Sequence, residues 1–157
     1  MPVNAATTPG QILTSAYVNN MPRGVVAFTR NTTAALNVND TLVYELFRAP
    51  AFTPIAGRLY RITYAVGSVS KDDNIGNVDV QLRKDSISGT ILDAVYFSAV
   101  PLGQYFPMTK VMTLTSTEMG TASFVPMVTV VSNTVGFIAT NSATYAGTII
   151  IEDIGAS

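Results

Sequence analysis

The sequence contains neither cysteine nor histidine among its 157 residues, and this excludes several kinds of chemistry. Without cysteine there is no disulfide framework and no thiolate nucleophile. Without histidine, neither a Ser–His–Asp nor a Cys–His catalytic site can form, and no imidazole can bind a metal ion. We therefore expect no cofactor and no enzymatic activity, because any catalysis would have to rely on carboxylates.

Charged side chains are also scarce. They make up 12% of the residues, about half the usual share, whereas hydrophobic residues make up 48% and the mean hydropathy is +0.34. The net charge of −1 and the pI near 5.2 argue against a basic face that binds nucleic acid. Because subunit interfaces are depleted in charge, the composition indicates that part of the surface is buried against neighbouring subunits.

Long apolar runs are missing as well. The sequence has no run of about eighteen apolar residues, so no transmembrane helix and no membrane partner are expected. Its first ten residues, MPVNAATTPG, lack a basic region followed by an apolar stretch. We therefore expect no secretory signal and synthesis in the cytoplasm.

The residues that are present favour β-structure, and residues 52–66 show this best. Pro54 and Gly57 mark a turn, after which large and mixed side chains alternate with a period of two. The large side chains on one face are Tyr60, Ile62, Tyr64 and Val66. This period predicts a half-buried strand whose other face, which includes Arg61 and Thr63, is either solvent-exposed or a wet subunit contact.

The same alternation recurs along the chain and predicts about eight to ten short strands, as in a sandwich or barrel. Further strands are expected at residues 23–29, 41–47, 77–83, 90–97, 110–114, 123–131, 136–140 and 144–154. Loops or turns are expected at residues 31–40, 68–76, 99–107 and 116–120. We predict an all-β fold, an antiparallel jelly-roll-like β-sandwich that spans residues 23–157.

The last predicted strand differs from the others because its centre is apolar on both sides. Ile149, Ile150 and Ile151 follow one another there. A strand of this kind is buried on both faces, so we expect it to lie centrally in its sheet and near a subunit contact.

Residues 1–22 form a separate, extended N-terminal arm in this prediction, because residues that interrupt regular structure are frequent there. They are Pro2, Pro9, Gly10 and Pro22. Thr14 or Ser15 is suited to cap a short helical turn. One face of that turn would carry Tyr17, Val18 and Met21. Two interpretations stay open: the turn packs on its own domain, or the arm is a tether that grips a neighbour.

Three short motifs resemble small structural proteins of tailed-phage virions. The first is the run PGQILTSAYVNNMPRGVVA, which is similar to an N-terminal segment in which a glycine, an "ILTA"-like phrase and an asparagine precede "PRG". The corresponding residues here are Gly10, Ile12-Leu13-Thr14, Asn19 or Asn20, and Pro22-Arg23-Gly24. Ser15 stands where alanine is usual. The run AGRLYRITYAV resembles the "AGR-x-YRI" strand of these proteins, and the ending Thr148–Gly155 resembles their closing "EDIG" strand.

This resemblance implies a non-enzymatic structural protein of the virion, made in the cytoplasm of a bacterial host. It favours a capsid decoration protein on the head surface, with the arm anchored to the lattice of the major capsid protein. The side chains that would make this contact are Ile12, Leu13, Tyr17, Val18 and Met21. The alternative is a minor tail or fibre-associated protein whose loops bind a host-surface glycan.

A looser resemblance concerns the run FTPIAGRLYRITY, which is similar to the matching strand of trimeric tumour-necrosis-factor-like jelly rolls. In those folds, aromatic strands meet around a threefold axis. The resemblance therefore implies a jelly-roll fold that works as a homotrimer.

Oxygen ligands suggest two further sites. The loop at Lys71, Asp72, Asp73 and Asn74 could hold calcium, although its spacing does not match a calcium loop and a solvated turn is the alternative. Glu45 and Asp93 could form a glycosidase-like pair only if their carboxyl groups lie roughly 5 to 9.5 Å apart. The alternative for both is an outward-facing strand charge balanced by Arg or Lys.

The seven tyrosines and seven phenylalanines include some outside the predicted core, and there is no tryptophan. Tyr105 and Phe106 could contact a ligand or partner, or could cover one end of the core. Sugar rings often stack on aromatic side chains, but nothing in the sequence groups Tyr17, Tyr105 and Tyr145.

Overall fold

The structure is a computed structural model, and it describes residues 20–38, 40–71, 77–97, 104–120, 122–132 and 137–157. The larger part of the predicted arm, including Ile12, Leu13, Tyr17 and Val18, lies outside the described residues. The candidate calcium loop at Asp72 to Asn74 lies outside them too. The boundary between residues 1–22 and 23–157 therefore stays a prediction.

Ten strands and one helical turn make up the described part of the chain. The strands are β1 (Gly24–Asn31), β2 (Ala35–Val38), β3 (Val43–Arg48), β4 (Arg58–Lys71), β5 (Val78–Lys84), β6 (Ile91–Phe97), β7 (Phe106–Thr115), β8 (Pro126–Ser132), β9 (Phe137–Thr140) and β10 (Gly147–Ala156). The helical turn, α1 (Ser116–Met119), follows β7 directly. No helix within the described ranges is long and apolar enough to cross a bilayer.

The strands form two antiparallel sheets. The six-stranded sheet has the order β1-β10-β4-β9-β2, with β7 on the other side of β4, and the four-stranded sheet has the order β3-β8-β5-β6. The long strand β4 organises the first sheet: it pairs with β7 along one edge, and with β10 and then β9 along the other. The all-β sandwich predicted from the sequence is confirmed.

The core lies between the sheets, and β4 supplies its largest side chains. Tyr60, Ile62, Tyr64 and Val66 are each at most 1% exposed. The period-two prediction for this strand is therefore confirmed. The four-stranded sheet contributes Val80, Leu82, Val128 and Val130, all fully buried. Burying each large apolar side chain stabilises the fold by roughly 1.5–3 kcal/mol, so these two layers hold the sandwich together.

The predicted loops at 31–40 and 68–76 are wrong in part. Residues 35–38 form β2, and β4 continues through residues 68–71. In β4 a bulge interrupts the alternation: two residues, Gly67 and Ser68, stand opposite one residue of β7. The period-two alternation stops at this bulge, although the strand itself continues to Lys71. The sequence pattern therefore predicts a strand that is too short.

A second bulge corrects the prediction for β1. The alternation predicts that Val25, Ala27 and Thr29 share one face. The register shifts between Val25 and Ala27, so Ala27 is buried whereas Val25 is 59% exposed, on the same side as Phe28. The bulge thus places an additional apolar side chain on the outer face of the sheet.

The prediction for the last strand is confirmed in its position but not in its burial. β10 lies between β1 and β4, so it is a central strand. Its side chains alternate, with Ile149 and Ile151 fully buried and Ile150 only half-buried. Ile150 faces outwards, on the same side of the sheet as Phe28.

The turn predicted at 116–120 is one turn of α-helix. Thr115 caps it, and the Glu118 side chain accepts a hydrogen bond from the Thr115 backbone at 2.7 Å, which completes a capping box. The hydrogen bonds from Thr115 lower the pKa of Glu118. This turn closes the end of the sandwich at which β4 begins.

Candidate interaction surfaces

A row of three apolar side chains and one threonine crosses the outer face of the six-stranded sheet. The register pairs Phe28 of β1 with Ile150 of β10, Ile150 with Thr63 of β4, and Thr63 with Val111 of β7. Phe28 is 51% exposed and Val111 is 57% exposed. We call these four residues the outer row. Because neighbouring strands lie about 4.8 Å apart, the row extends over roughly 14 Å of exposed surface.

The rows on either side of the outer row carry little net charge. Arg30, Thr148, Ala65 and Thr109 are aligned on one side. On the other side, Arg61 of β4 donates from Nε to Glu152 Oε2 of β10 at 2.8 Å. That hydrogen bond raises the pKa of Arg61 and lowers that of Glu152. Apart from Arg30 and the balanced pair of Arg61 and Glu152, these rows consist of threonine and apolar side chains, and a face with so little charge is suited to burial against another subunit.

The sequence predicts that the second face of β4 is either a solvent face or a wet subunit contact. In the structure this face is part of the outer face of the six-stranded sheet. The sequence placed Phe28 and Val111 in strands but did not identify them as contact residues. No signal in either strand alone could have done so, because an exposed row forms only when four strands pair in a definite register.

The root of the arm, residues 20–23, is fixed on this sheet. Arg58, at the start of β4, donates from Nη2 to the carbonyl oxygen of Met21 at 2.6 Å. The Arg23 amide donates to the carbonyl oxygen of Asp153 at 3.2 Å. Met21 is 39% exposed and lies at the base of the arm. It is the predicted anchor residue that falls within the described part of the chain.

A cleft of about 560 Å³ lies at the other end of β4. Its described lining residues are Gly67, Ser68, Tyr105, Pro107 and Tyr145. Tyr105 is 60% exposed and Tyr145 is 63% exposed. We call it the tyrosine cleft. The structure thus brings together two tyrosines that the sequence could not group, and Tyr105 does not cover the core.

The β4 bulge forms the floor of the tyrosine cleft. Pro107 stands opposite the bulge, and bulges are among the few positions in a sheet where proline, which cannot donate to the ladder, is found. A Cβ at Gly67 would lie 1.9 Å from the carbonyl oxygen of Tyr145, so only glycine lets the loop with Tyr145 pack this closely. A glycine inside a strand pattern is a known sign of a bulge or of close backbone approach, and Gly67 is the sequence signal that could have indicated this site.

The loop that carries Tyr145 is held in place by a buried amide. Asn141 is 5% exposed, and its Oδ1 accepts a hydrogen bond from the Gly67 amide at 3.0 Å. Within the loop, the Ser142 amide donates to the Tyr145 carbonyl at 2.9 Å, and the Tyr145 amide donates to Ser142 Oγ at 3.0 Å. One wall of the cleft is therefore fixed before any ligand binds.

The candidate carboxylate pair does not form. Glu45 and Asp93 lie on β3 and β6, the two outer strands of the four-stranded sheet, so about 14 Å of sheet separates them. Glu45 pairs with Arg48, while Asp93 accepts from the Tyr64 hydroxyl at 3.1 Å and lies 3.6 Å from Lys110 Nζ. Each is a strand charge balanced by Arg or Lys, as the alternative from the sequence stated. Asp93 does not face outwards, however, because it contacts Tyr64, a buried core residue of the other sheet.

Asp79 is a buried carboxylate of a different kind. It is 6% exposed, and across the described residues its Oδ1 is the buried side-chain polar atom that lacks a hydrogen-bond partner. Its cross-strand neighbours are Tyr96 and Val131, neither of which carries a positive charge. Burial raises the pKa of Asp79. Within the described ranges, no three acidic side chains come together in a group that could hold a metal ion.

No protein-family model and no curated protein matches the chain. Among solved structures, the Eiger TNF from S. frugiperda superposes with a TM-score of 0.52 at 9% sequence identity, over 86% of this chain and 96% of that chain. The VP2 subviral particle of infectious bursal disease virus gives a TM-score of 0.48 at 10% identity, over 88% of this chain but 39% of that chain.

A carbohydrate-binding module from Cellvibrio mixtus lichenase 5A, in complex with cellotriose, gives a TM-score of 0.36 at 14% identity over 85% of this chain. Both this module and the viral protein superpose only loosely on the chain, with TM-scores of 0.36 and 0.48. At 9% identity, the likeness to Eiger TNF concerns the fold alone: this chain is a two-sheet, jelly-roll-like β-sandwich.

Proposed function

We propose that this chain is a non-enzymatic structural protein of a tailed-phage virion, a capsid decoration protein that acts as a homotrimer on the head surface. The outer row is the observation that carries this proposal. An apolar row with two side chains more than half exposed, on a face with little net charge, is suited to contact with further copies of the chain.

The three motifs that resemble virion proteins favour a phage protein. The looser resemblance to trimeric jelly rolls favours an assembly of three copies. In such a trimer the outer row of each copy is covered by its neighbour. The three arms then leave the assembly from roots held at the same end of each β4. Weak contacts of each arm with the lattice of the major capsid protein add up through multivalency.

Removing residues 1–19 tests the anchor because it spares the arm root. We expect the truncated protein to lose binding to undecorated capsids while its circular dichroism and its oligomeric state stay those of the full chain. Cosedimentation with capsids measures the binding, and full-length Tyr96→Ala, changed at an exposed position far from the root, is the control. Full binding by the truncated protein would refute the anchor.

The second candidate is a minor tail or fibre-associated protein that binds a host-surface glycan. The tyrosine cleft favours it, because two exposed tyrosines face one concave surface. Saturable binding to host cells, lost when the cells are stripped of surface polysaccharide, would support this candidate over decoration.

A further inference from the structure

We propose that the tyrosine cleft is a binding site for a neutral hexopyranose unit of a glycan. The inference holds for a protein of the head or of the tail, so it stands apart from the decoration function. It depends on four features of the cleft: its aromatic walls, its hydroxyl groups, its lack of charge and its position.

The aromatic walls fit the apolar face of a sugar ring. Tyr105 and Tyr145 are both at least 60% exposed, although large aromatic rings usually contribute to cores or contacts. A tyrosine offers a flat apolar ring together with a hydroxyl that can hydrogen-bond at its tip. A pyranose offers the complement, C–H groups on its faces and hydroxyl groups around its rim.

The floor of the cleft supplies the hydroxyl group of Ser68. Its Oγ lies 2.6 Å from Oγ1 of Thr140, the residue paired with Ser68 across the sheet, so one of the two hydroxyl groups donates to the other. A hydroxyl has one donor and two acceptor positions, so Ser68 keeps at least one acceptor position for a ligand. Matched donors and acceptors are what sugar hydroxyl groups require.

The described lining residues carry no charge, and this selects the class of ligand. A phosphate or a sulfated sugar would need a cation to balance it on entering a partly apolar cleft. The Arg30 guanidinium, whose Nη2 donates to the Ala143 carbonyl at 3.1 Å, is not among the lining residues. A neutral sugar needs no such cation.

The position of the cleft leaves it open to ligands outside the particle. Nine residues of β4 separate Arg58 at the arm root from Gly67 in the cleft, a distance of roughly 30 Å along the strand. The cleft also lies about 13 Å along β4 from Thr63 in the outer row. A protein anchored through its arm and joined to its copies through the outer row keeps the cleft at the distal end. Because the wall with Tyr145 is already fixed, little freedom is lost on binding.

The test uses the full chain and an array of neutral and acidic glycans, followed by titration of each hit. We expect neutral hexose-containing glycans to bind and the sulfated or phosphorylated ones not to bind. Tyr105→Ala and Tyr145→Ala should each weaken binding by roughly tenfold, whereas Tyr105→Phe should retain most of it. Tyr96→Ala is the matched control, because Tyr96 is 66% exposed and lies on β6 of the other sheet.

The absence of tryptophan makes the titration direct, because tyrosine fluorescence is then not masked. Failure of every neutral glycan to bind would overturn the proposal, and so would alanine variants of Tyr105 and Tyr145 that bind as tightly as the wild type. A loss of trimer in these variants would do so too, since the cleft would then be a subunit contact. Capsid cosedimentation is scored separately, so a protein that binds capsids but no glycan refutes only the sugar site.

Discussion

Asp153 of β10 and Arg58 of β4 form a buried ion pair that also holds the root of the arm. The Arg58 guanidinium donates from Nε to Asp153 Oδ2 at 2.9 Å and from Nη2 to Oδ1 at 2.5 Å. The two side chains are 4% and 0% exposed. Since the same Nη2 donates to the Met21 carbonyl, this pair connects the two central strands of the six-stranded sheet to the base of the arm.

Removing the Asp153 carboxylate should destabilise the protein strongly. Asp153→Ala removes the carboxylate to which the buried Arg58 guanidinium donates, and breaking a buried pair in this way costs about 3–5 kcal/mol. Urea unfolding measures the effect. The adjacent Glu152→Ala is the control, because the exposed pair of Glu152 with Arg61 contributes only about 0–1 kcal/mol. Similar losses in the two variants would contradict a special role for the buried pair.

A charge placed in the outer row should dissociate the oligomer without unfolding the chain. Val111→Lys puts an ammonium group where copies of the chain are proposed to meet, and we expect the dissociation constant to rise roughly 10- to 100-fold. Light scattering coupled to size exclusion should show a shift from three times the 16.7 kDa chain mass towards one.

Ile91→Lys on the four-stranded sheet is the control for the outer row, because Ile91 is 47% exposed and lies away from that row. It should leave the oligomer unchanged. A wild-type protein that is monomeric at every concentration would refute the outer row as a contact between copies.

Asp79 should make the stability of the protein depend on pH. Because burial raises its pKa above the ordinary value of 3.8, the folded chain holds the proton more tightly than the unfolded chain does. Stability is therefore greatest, as far as this group is concerned, below pH 3.8, and it falls as the pH rises through the raised pKa.

The variant Asp79→Asn removes this titration. We expect the variant and the wild type to be similar near pH 3 and the variant to be more stable at pH 7, by on the order of 1 kcal/mol. Urea unfolding from pH 3 to pH 8 gives the difference at each pH. A difference in the free energy of unfolding that is the same at every pH would show that the Asp79 charge does not destabilise the folded chain.

Much of the fold could be predicted from the sequence, because a β-strand is encoded by residues two positions apart. The alternation from Tyr60 to Val66 predicts which side of β4 is buried, and the structure agrees. The same rule places Glu152 and Asp153 on opposite faces. Glu152 pairs with Arg61, and Asp153 pairs with Arg58. The abundance of alternating segments predicts the all-β sandwich.

Apart from Gly67, which signals a bulge, the candidate sites could not be predicted, because they depend on which distant strands pair and in which register. Arg58 and Asp153 are 95 residues apart in the sequence, and only the pairing of β4 with β10 brings them together. The bulge at Gly67 and Ser68 brings Tyr105 and Tyr145 to one cleft, and the bulge in β1 turns Val25 outwards.

The sequence by itself therefore determined the class of the fold and the inward face of the principal strand, since both follow from local period and composition. Only the tertiary structure decided where the outer row, the arm root and the tyrosine cleft lie along β4. The physical reason is that a strand specifies the direction of its own side chains but not its neighbours, which are selected by packing across the whole sandwich.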